Sequence, residues 1–406
     1  MSYQTSCSFC GEVLRPVLDL GNHPHSDYFP KDRKVALKTY PLALTRCKSC
    51  GLFQTDYHLS SEDMFNHDYI YDSSINKSGR YHWKEFSNDL HERININLKK
   101  GNIPRSLDIG SNSGELVSAF SLKGWEALGV EPSEQPHRIA LNKGRPSLKK
   151  FFNPKILNEL KYEDYDLITF TNSFPHIPSP VDTLNLAHRL INKKTGIICI
   201  ESPSSEIMLK EGQYDQIYHQ HMTYLDPISM SELCLNMDLN LFETTSSSYH
   251  NGSTRYYISH KDSVYKTSTK LKEYIDNNKK NFLSTKIEDE FRRKCLLSRK
   301  AIRRFVEKAN YDKKKIGCVS APAKGNTILN FCGLSSHDLP FTTEANQLKI
   351  GRYTPISNIK IYSDKELVKF DPDLLIVLAW NFIDVISKSV SDYVPKAKFI
   401  NPLKIE

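Results

Sequence analysis

From about residue 80 to residue 260 the chain alternates short apolar runs with amphipathic stretches, a pattern that predicts strand–helix units around a largely parallel sheet. The strands fall at Ser106–Ile109, Ala127–Val130, Asp166–Thr171 and Gly196–Ile200, with helices at Glu134–Asn142 and Val181–Ile191. A second block of the same kind follows residue 310: an apolar run at Ile316–Val319, a helix around Thr327–Cys332 and another apolar run at Leu374–Trp380. Between the blocks, roughly 265–310, the spacing of Ile287, Phe291, Cys295, Ala301, Ile302 and Phe305 is helical. Residues 1 to about 75 read differently, with two cysteine pairs, turn-rich sequence and no long periodic helix. The expected organisation is an α/β protein in three parts, 1–75, 76–262 and 263–406. No repeat of fixed period and no low-complexity tract interrupts it.

Composition narrows this picture. With 406 residues, 39% hydrophobic and 25% charged, the chain has the profile of a folded protein with more than one core. No run approaches 18 consecutive apolar residues, so no membrane span is expected. The start, Met1-Ser-Tyr-Gln-Thr-Ser-Cys7, lacks a basic and then apolar leader, and a cytoplasmic location is the expectation. The net charge of +8 suggests nucleic acid at first sight, but Val264–Lys315 alone holds 17 Lys/Arg against 7 Asp/Glu. The excess is therefore the solvated face of linking helices, and no aromatic–basic motif supports a nucleic-acid partner.

Nine cysteines in a reducing compartment argue against a disulfide framework. Four of them form Cys7-Ser-Phe-Cys10-Gly and Cys47-Lys-Ser-Cys50-Gly. Each C-x2-C turn puts two thiolates on one side of a knuckle, and the glycine lets backbone amides approach the sulfurs. Two such knuckles predict a closed four-thiolate zinc shell, which is structural because no position is left for water.

Ser106-Leu-Asp108-Ile-Gly110-Ser-Asn112-Ser-Gly114 reads as a strand entering a glycine turn, with a helix starting near Glu115. The next strand ends in Gly129-Val130-Glu131-Pro-Ser, where a carboxylate suits the two hydroxyls of an adenosine ribose. The spacing is G-x-x-x-G rather than G-x-G-x-x-G, which favours S-adenosylmethionine over a nicotinamide cofactor. Asp166 and the end of the strand leading to Asn172 are expected beside the cofactor at the carboxyl edge of the sheet.

Three polar neighbourhoods are candidates for the chemistry: Asn172-Ser-Phe-Pro-His176, Tyr218-His219-Gln220-His221, and Tyr69-Ile-Tyr71-Asp-Ser73-Ser74. They suit proton abstraction from a carbon next to a carbonyl, with a neutral histidine as base and Tyr or His donors on the enolate oxygen.

Taken together these motifs resemble the bacterial three-domain sugar C-methyltransferases of deoxysugar pathways, such as the tetronitrose, mycarose and noviose enzymes. The resemblance extends over almost the whole chain. Besides the knuckles, the glycine turn and the segments above, it includes His250-Asn-Gly-Ser253-Thr-Arg255, Ala321-Pro-Ala-Lys324-Gly325-Asn326 and Leu378-Ala-Trp380-Asn381-Phe382. It implies a zinc-binding domain, a central class I Rossmann-like S-adenosylmethionine domain and a C-terminal Rossmann-like α/β domain. The implied reaction moves a methyl from S-adenosylmethionine to C3 of a nucleotide-linked 4-keto-deoxysugar, with dTDP foremost and GDP or CDP open. It implies His221 as general base, Tyr218 and His176 at the substrate oxygen and enolate, and Tyr71 or Tyr69 in the sugar pocket. It also implies Ser253 and Arg255 near the active site, and Lys324 with Asn326 near the diphosphate. Methylation at oxygen or nitrogen of a related sugar, and non-catalytic nucleotide-sugar binding, stand as alternatives. Three departures from the family pattern stand out: Gln220 replaces its glutamate, Asn251 a glycine, and Cys318 and Ser320 the glycines of the last turn.

Overall fold

The computed structural model describes residues 2–60, 77–97, 101–247 and 252–406. Tyr69, Tyr71, His250 and Asn251 lie outside the described residues.

The N-terminal part is built of strands: β1 (Ser2–Tyr3), β2 (Leu14–Pro24), β3 (Thr39–Cys47), β4 (Phe53–Thr55) and β5 (Tyr57–His58). A helix, α1 (Lys77–Asn95), leads into the central part. There β6 (Arg105–Ile109), α2 (Glu115–Ser121), β7 (Glu126–Val130), α3 (Glu134–Asn142), β8 (Ser147–Leu148), β9 (Leu167–Thr171), α4 (Pro180–Leu190) and β10 (Ile197–Pro203) follow in order. After α5 (Ser205–Glu211), β11 (Thr223–Tyr224) and α6 (Pro227–Leu235), two longer strands, β12 (Leu239–Ser247) and β13 (Ser253–His260), complete a seven-stranded sheet ordered β12-β13-β10-β9-β6-β7-β8.

The pairings from β10 through β8 are parallel, as expected from the strand–helix alternation. The edge pair β12–β13 is antiparallel and was not foreseen, since its polar-rich strands carry no long apolar run. Alternate residues of the central strands feed two cores. Ile198 and Ile200 belong to one, Ile197 and Cys199 to the other, as period-two side chains of a sheet covered on both faces must.

The basic segment forms α7 (Thr269–Phe282) and α8 (Lys286–Tyr311). Beyond it lie β14 (Ile316–Val319), α9 (Ala323–Cys332), β15 (Phe341–Glu344), β16 (Lys360–Ser363), β17 (Leu374–Val377) and β18 (Lys398–Ile400). These make an all-parallel five-stranded sheet ordered β16-β15-β14-β17-β18. Among the described residues no helix is long and apolar enough to cross a membrane.

The three parts of the chain converge on one stretch, residues 214–224. Strand β11 joins the N-terminal sheet by pairing with β4, and His219 Nε2 donates to Pro41 O at 3.0 Å. From the C-terminal part, Thr327 Oγ1 donates to Ile217 O at 3.1 Å and Trp380 Nε1 to Asp215 at 2.7 Å. From the central part, Met222 N donates to Pro175 O at 2.7 Å. The segment has no regular apolar period, and these long-range partners, with the burial of Tyr214, Ile217, Met222 and Tyr224, hold its conformation.

Candidate active site and metal centre

At the N-terminus the sulfurs of Cys7, Cys10, Cys47 and Cys50 all lie within 4.8 Å of one another. Cys7 Sγ is 3.6 Å from Cys50 Sγ, and Cys10 Sγ 3.4 Å from Cys47 Sγ. A tetrahedral zinc with bonds of about 2.3 Å would space its sulfurs by roughly 3.8 Å, so the cage fits the ion. Gly11 and Gly51 take left-handed φ values of 76° and 82°, closing each knuckle. The amides of Phe9 and Ser49 point at Cys7 and Cys47 at 3.4 and 3.3 Å, as thiolate-stabilising donors do.

Next to Cys47, Arg46 is fully buried. It donates to Gly51 O at 3.1 Å and pairs with Glu288 of α8 at 2.9 Å, while its plane lies 4.6 Å from the rings of both Phe53 and Phe282. The zinc cage and the linking helices are thus joined through one side chain.

The main cleft, about 1370 Å³, runs between the carboxyl edges of the central and C-terminal sheets. Of the expected cofactor residues, Asp108, Gly110, Asn112, Glu131 and Asn172 line it. Glu131 Oε2 accepts from Asn112 N at 2.9 Å and Oε1 from Ser133 N at 2.8 Å, and burial raises its pKa. Each oxygen keeps a second lone pair for a ligand hydroxyl. Asp108 accepts the Thr169 hydroxyl at 2.7 Å, and burial pushes its carboxyl up to about 7. Gly110 is required on two counts: φ is 73°, and a Cβ would come 2.5 Å from that of Ser173. Asn172 Oδ1 is buried without a partner among the described residues and lies in the cleft wall, so a bound donor group has a place there. These features fit S-adenosylmethionine.

Two expected cofactor residues sit elsewhere. Asp166 precedes β9 and accepts from Arg105 N at 2.9 Å, at the amino edge of the sheet and away from the cleft. A strand's first residue and its last lie at opposite edges of the sheet, and Asp166 stands at the first. Gly114 is not in the cleft wall either; it caps α2, and a Cβ there would press on Arg145 at 3.1 Å.

Tyr218, His221, Gln220 and His176 are brought together in the same cleft. Gln216 O lies 3.0 Å from His221 Nδ1; a carbonyl only accepts, so in the neutral ring the proton sits on Nδ1 and Nε2 is the acceptor. Tyr218 Oη lies 2.7 Å from that Nε2. His176 stands with its ring centre 5.0 Å from that of His221, and its Nδ1 donates to Gln220 O at 2.6 Å. Burial lowers the His176 pKa, which keeps the ring neutral. Gln220 turns its side chain to Asp27 of the N-terminal part, at 3.3 Å. Asp27 and Gln216 were not singled out from the sequence, and no local signal marks them.

Lys324 lies in the cleft wall with its ammonium 5.0 Å above the Trp380 ring. Burial lowers its pKa, and the charge of Asp215 opposes that shift. Asn326 is buried behind the wall, where its amide donates to Ser26 O at 2.7 Å. Ser253 and Arg255 lie on β13, outside the cleft lining. Arg255 pairs with buried Glu201, which also holds His82 at 2.6 Å, so it completes a buried ion cluster and not a pocket.

Three family models match the chain in tandem: a putative zinc binding domain over residues 7–65, a methyltransferase domain over 80–244, and a C-methyltransferase C-terminal domain over 248–403. C-methyltransferase NovU of Streptomyces niveus is 25% identical over 98% of this chain and 95% of its own length. A ubiquinone biosynthesis O-methyltransferase of Paracidovorax citrulli is 22% identical over 39% of this chain and 73% of its own. A solved S-adenosylmethionine-dependent methyltransferase from Clostridium acetobutylicum aligns with 45% of this chain and 92% of that one, at 14% identity and a TM-score of 0.35.

A Rossmann-like unit with this cleft, matched by a methyltransferase model over its length, makes the chain an S-adenosylmethionine-dependent methyltransferase with an N-terminal zinc-binding module. More narrowly, its three domains follow one another as the three models do, and along nearly its whole length it is similar to a C-methyltransferase.

Proposed function

We propose that the chain methylates a carbon, C3 by resemblance, next to the keto group of a nucleotide-linked 4-keto-deoxysugar, by way of an enolate. We further propose that it works in the cytoplasm and divides at about residues 75 and 262. The observation that carries the reading is the Tyr218–His221 pair in the cleft: an imidazole with its proton fixed on Nδ1 by the Gln216 carbonyl and an acceptor nitrogen 2.7 Å from a phenol.

In this reading the Tyr218 hydroxyl rests on His221 Nε2 until the substrate's keto oxygen offers it a better acceptor. Turning to that oxygen, it exposes the Nε2 lone pair to the neighbouring C–H and stabilises the enolate as charge develops. The carbon's proton passes to Nε2, and the imidazolium keeps its Nδ1 bond to Gln216. When bound, S-adenosylmethionine supplies the electrophilic methyl that the enolate carbon takes. Glu131 would hold its ribose and Asn172 a neighbouring donor.

His176 donates its Nδ1 proton to the Gln220 backbone carbonyl. It is read as a positioning residue for the segment that carries His221, rather than as a donor to the enolate. Lys324 suits the diphosphate by charge and by its place in the first turn of α9. Ser253, Arg255 and Asn326 keep supporting roles behind the wall. Incubating the protein with S-adenosylmethionine and a panel of dTDP-, GDP- and CDP-linked 4-keto sugars tests the reading. A product heavier by one methyl that resists O-demethylation supports it; methylation at oxygen alone rejects it.

A further inference from the structure

The C-terminal sheet repeats the cofactor turn of the central one, atom for atom at several positions. Strand orders correspond, β10-β9-β6-β7-β8 against β18-β17-β14-β15-β16. The residue after β6, Gly110, has φ 73°, and its N–H donates to Val130 O at 2.8 Å, just before Glu131. The residue after β14, Ser320, has φ 69°, and its N–H donates to Thr343 O at 2.7 Å, just before Glu344. Glu131 accepts from Asn112 N in the first turn and from Ser133 N two residues ahead. Glu344 Oε2 likewise accepts from Ala321 N at 2.9 Å in its own first turn, and its Oε1 from Asn346 N, two residues ahead, at 3.1 Å; Oε1 also accepts from Ala345 N at 2.9 Å, where the central turn has Pro132 and no amide.

Ser320 makes the parallel more informative. A serine in the left-handed region costs about 1 kcal/mol or more and is retained where its surroundings demand that turn. Here its Oγ accepts from Ala379 N at 2.8 Å, tying the turn to the loop after β17.

Glu344 faces the same cleft as Glu131. Oε1 is taken up by two amides, whereas Oε2 carries one and retains an acceptor site for a ligand hydroxyl. Around it the cleft wall holds polar atoms that ask for partners. Both side-chain atoms of Asn381 and Oδ1 of Asp364, which follows β16, are buried and unbonded among the described residues. Lys324 stands nearby in sequence, four residues beyond Ser320 on the opening turn of α9.

We propose that Glu344 receives the 2′-hydroxyl of the substrate's nucleoside on Oε2, so that the C-terminal unit selects a ribonucleoside diphosphate sugar over a 2′-deoxyribonucleoside one. The inference rests on the nucleotide-sugar reading above and departs from the thymidine nucleotide that the resemblance implies. Asp364, at the end of the next strand, is placed to accept an N–H of the base.

Calorimetry on the full chain tests this, with UDP, GDP, CDP and ADP set against their 2′-deoxy forms and dTDP. The diphosphate that binds best should lose at least about tenfold in affinity without its 2′-hydroxyl, the usual worth of a hydrogen bond to a charged group. In Glu344→Gln that ratio should fall to about threefold or less, while S-adenosylhomocysteine, which reports an intact fold and the Glu131 site, binds as before. A 2′-deoxy form binding wild type as tightly as its ribo counterpart overturns the proposal, whether or not the variant folds. So does a ratio unchanged in Glu344→Gln. If no nucleoside diphosphate binds wild type that does bind S-adenosylhomocysteine, the nucleotide-sugar reading itself fails, and this inference with it.

Discussion

Gln220, next in sequence to the imidazole of His221, donates its side-chain amide to Asp27 at 3.3 Å. The orientation of that imidazole comes instead from the Gln216 carbonyl. Restoring the family's glutamate therefore sets two carboxylates against each other, at a point where the N-terminal part meets the catalytic segment. Gln220→Glu should lower stability by about 1–2 kcal/mol through this like-charge contact, and the added change Asp27→Asn should recover most of it. Urea melts of the two single variants and the double variant read this directly. Additive losses would show that the two side chains do not meet in solution.

The metal centre makes a separate claim. One zinc per chain should copurify, and removing it with a chelator should lower the melting temperature sharply, because four-thiolate zinc contributes folding energy. Since Arg46 joins the cage to Phe282 and Glu288, Cys47→Ser should loosen α7 and α8 as well as the cage. Hydrogen exchange over residues 269–311 is the readout. Full protection in metal-free protein would refute the coupling.

Glu131→Ala should weaken S-adenosylmethionine binding by about 1.5–3 kcal/mol, the loss expected when charge-assisted bonds to ribose hydroxyls disappear. The amides of Asn112 and Ser133 lose their acceptor at the same time. Calorimetry giving wild-type affinity would mean that the ribose is held elsewhere.

Asp108 carries a pH dependence whose sign is fixed by its burial. Its carboxyl, pushed up to about 7 in the fold, titrates near 3.9 in an unfolded chain. Between those values the folded protein holds a proton that the unfolded chain has released. The group's stabilising contribution is therefore complete below about pH 4 and is lost as the pH rises through about 7. Asp108→Asn keeps an acceptor for Thr169 and removes the titration. Relative to wild type without ligand, the variant should gain about 1–3 kcal/mol between pH 5 and pH 8. A difference in melting temperature that stays constant over that range would contradict the assignment.

These particulars show what the sequence made legible. The knuckles, the Gly110 turn and Glu131 are local devices, in which residue types a few positions apart carry the geometry, and they could be read directly. Strand and helix positions followed the apolar runs closely: Glu134–Asn142 and Ile316–Val319 fall where periodicity places them. What escaped was set by distant partners. Arg255 reads as a pocket cation until Glu201, on the neighbouring strand, neutralises it. Gln220 meets a residue 193 positions away. Asp166 lies away from the cleft because a strand's position in sequence does not say which of its ends faces the site. The turn at Ser320 reads as a loss of glycine, yet its backbone keeps the glycine-like φ.

The central claim is that His221 takes a proton from the carbon that is methylated, and the most direct measurement is exchange of that proton with solvent. With a nucleotide-linked 4-keto-6-deoxysugar, S-adenosylhomocysteine and D2O, mass spectrometry should show the wild-type protein placing one deuterium beside the keto group. His221→Ala should slow that exchange by about 10²–10⁴-fold, the range for loss of a general base, and should abolish methyl transfer with it. Exchange at the wild-type rate in His221→Ala would contradict the account, since the proton would then be leaving to a different base.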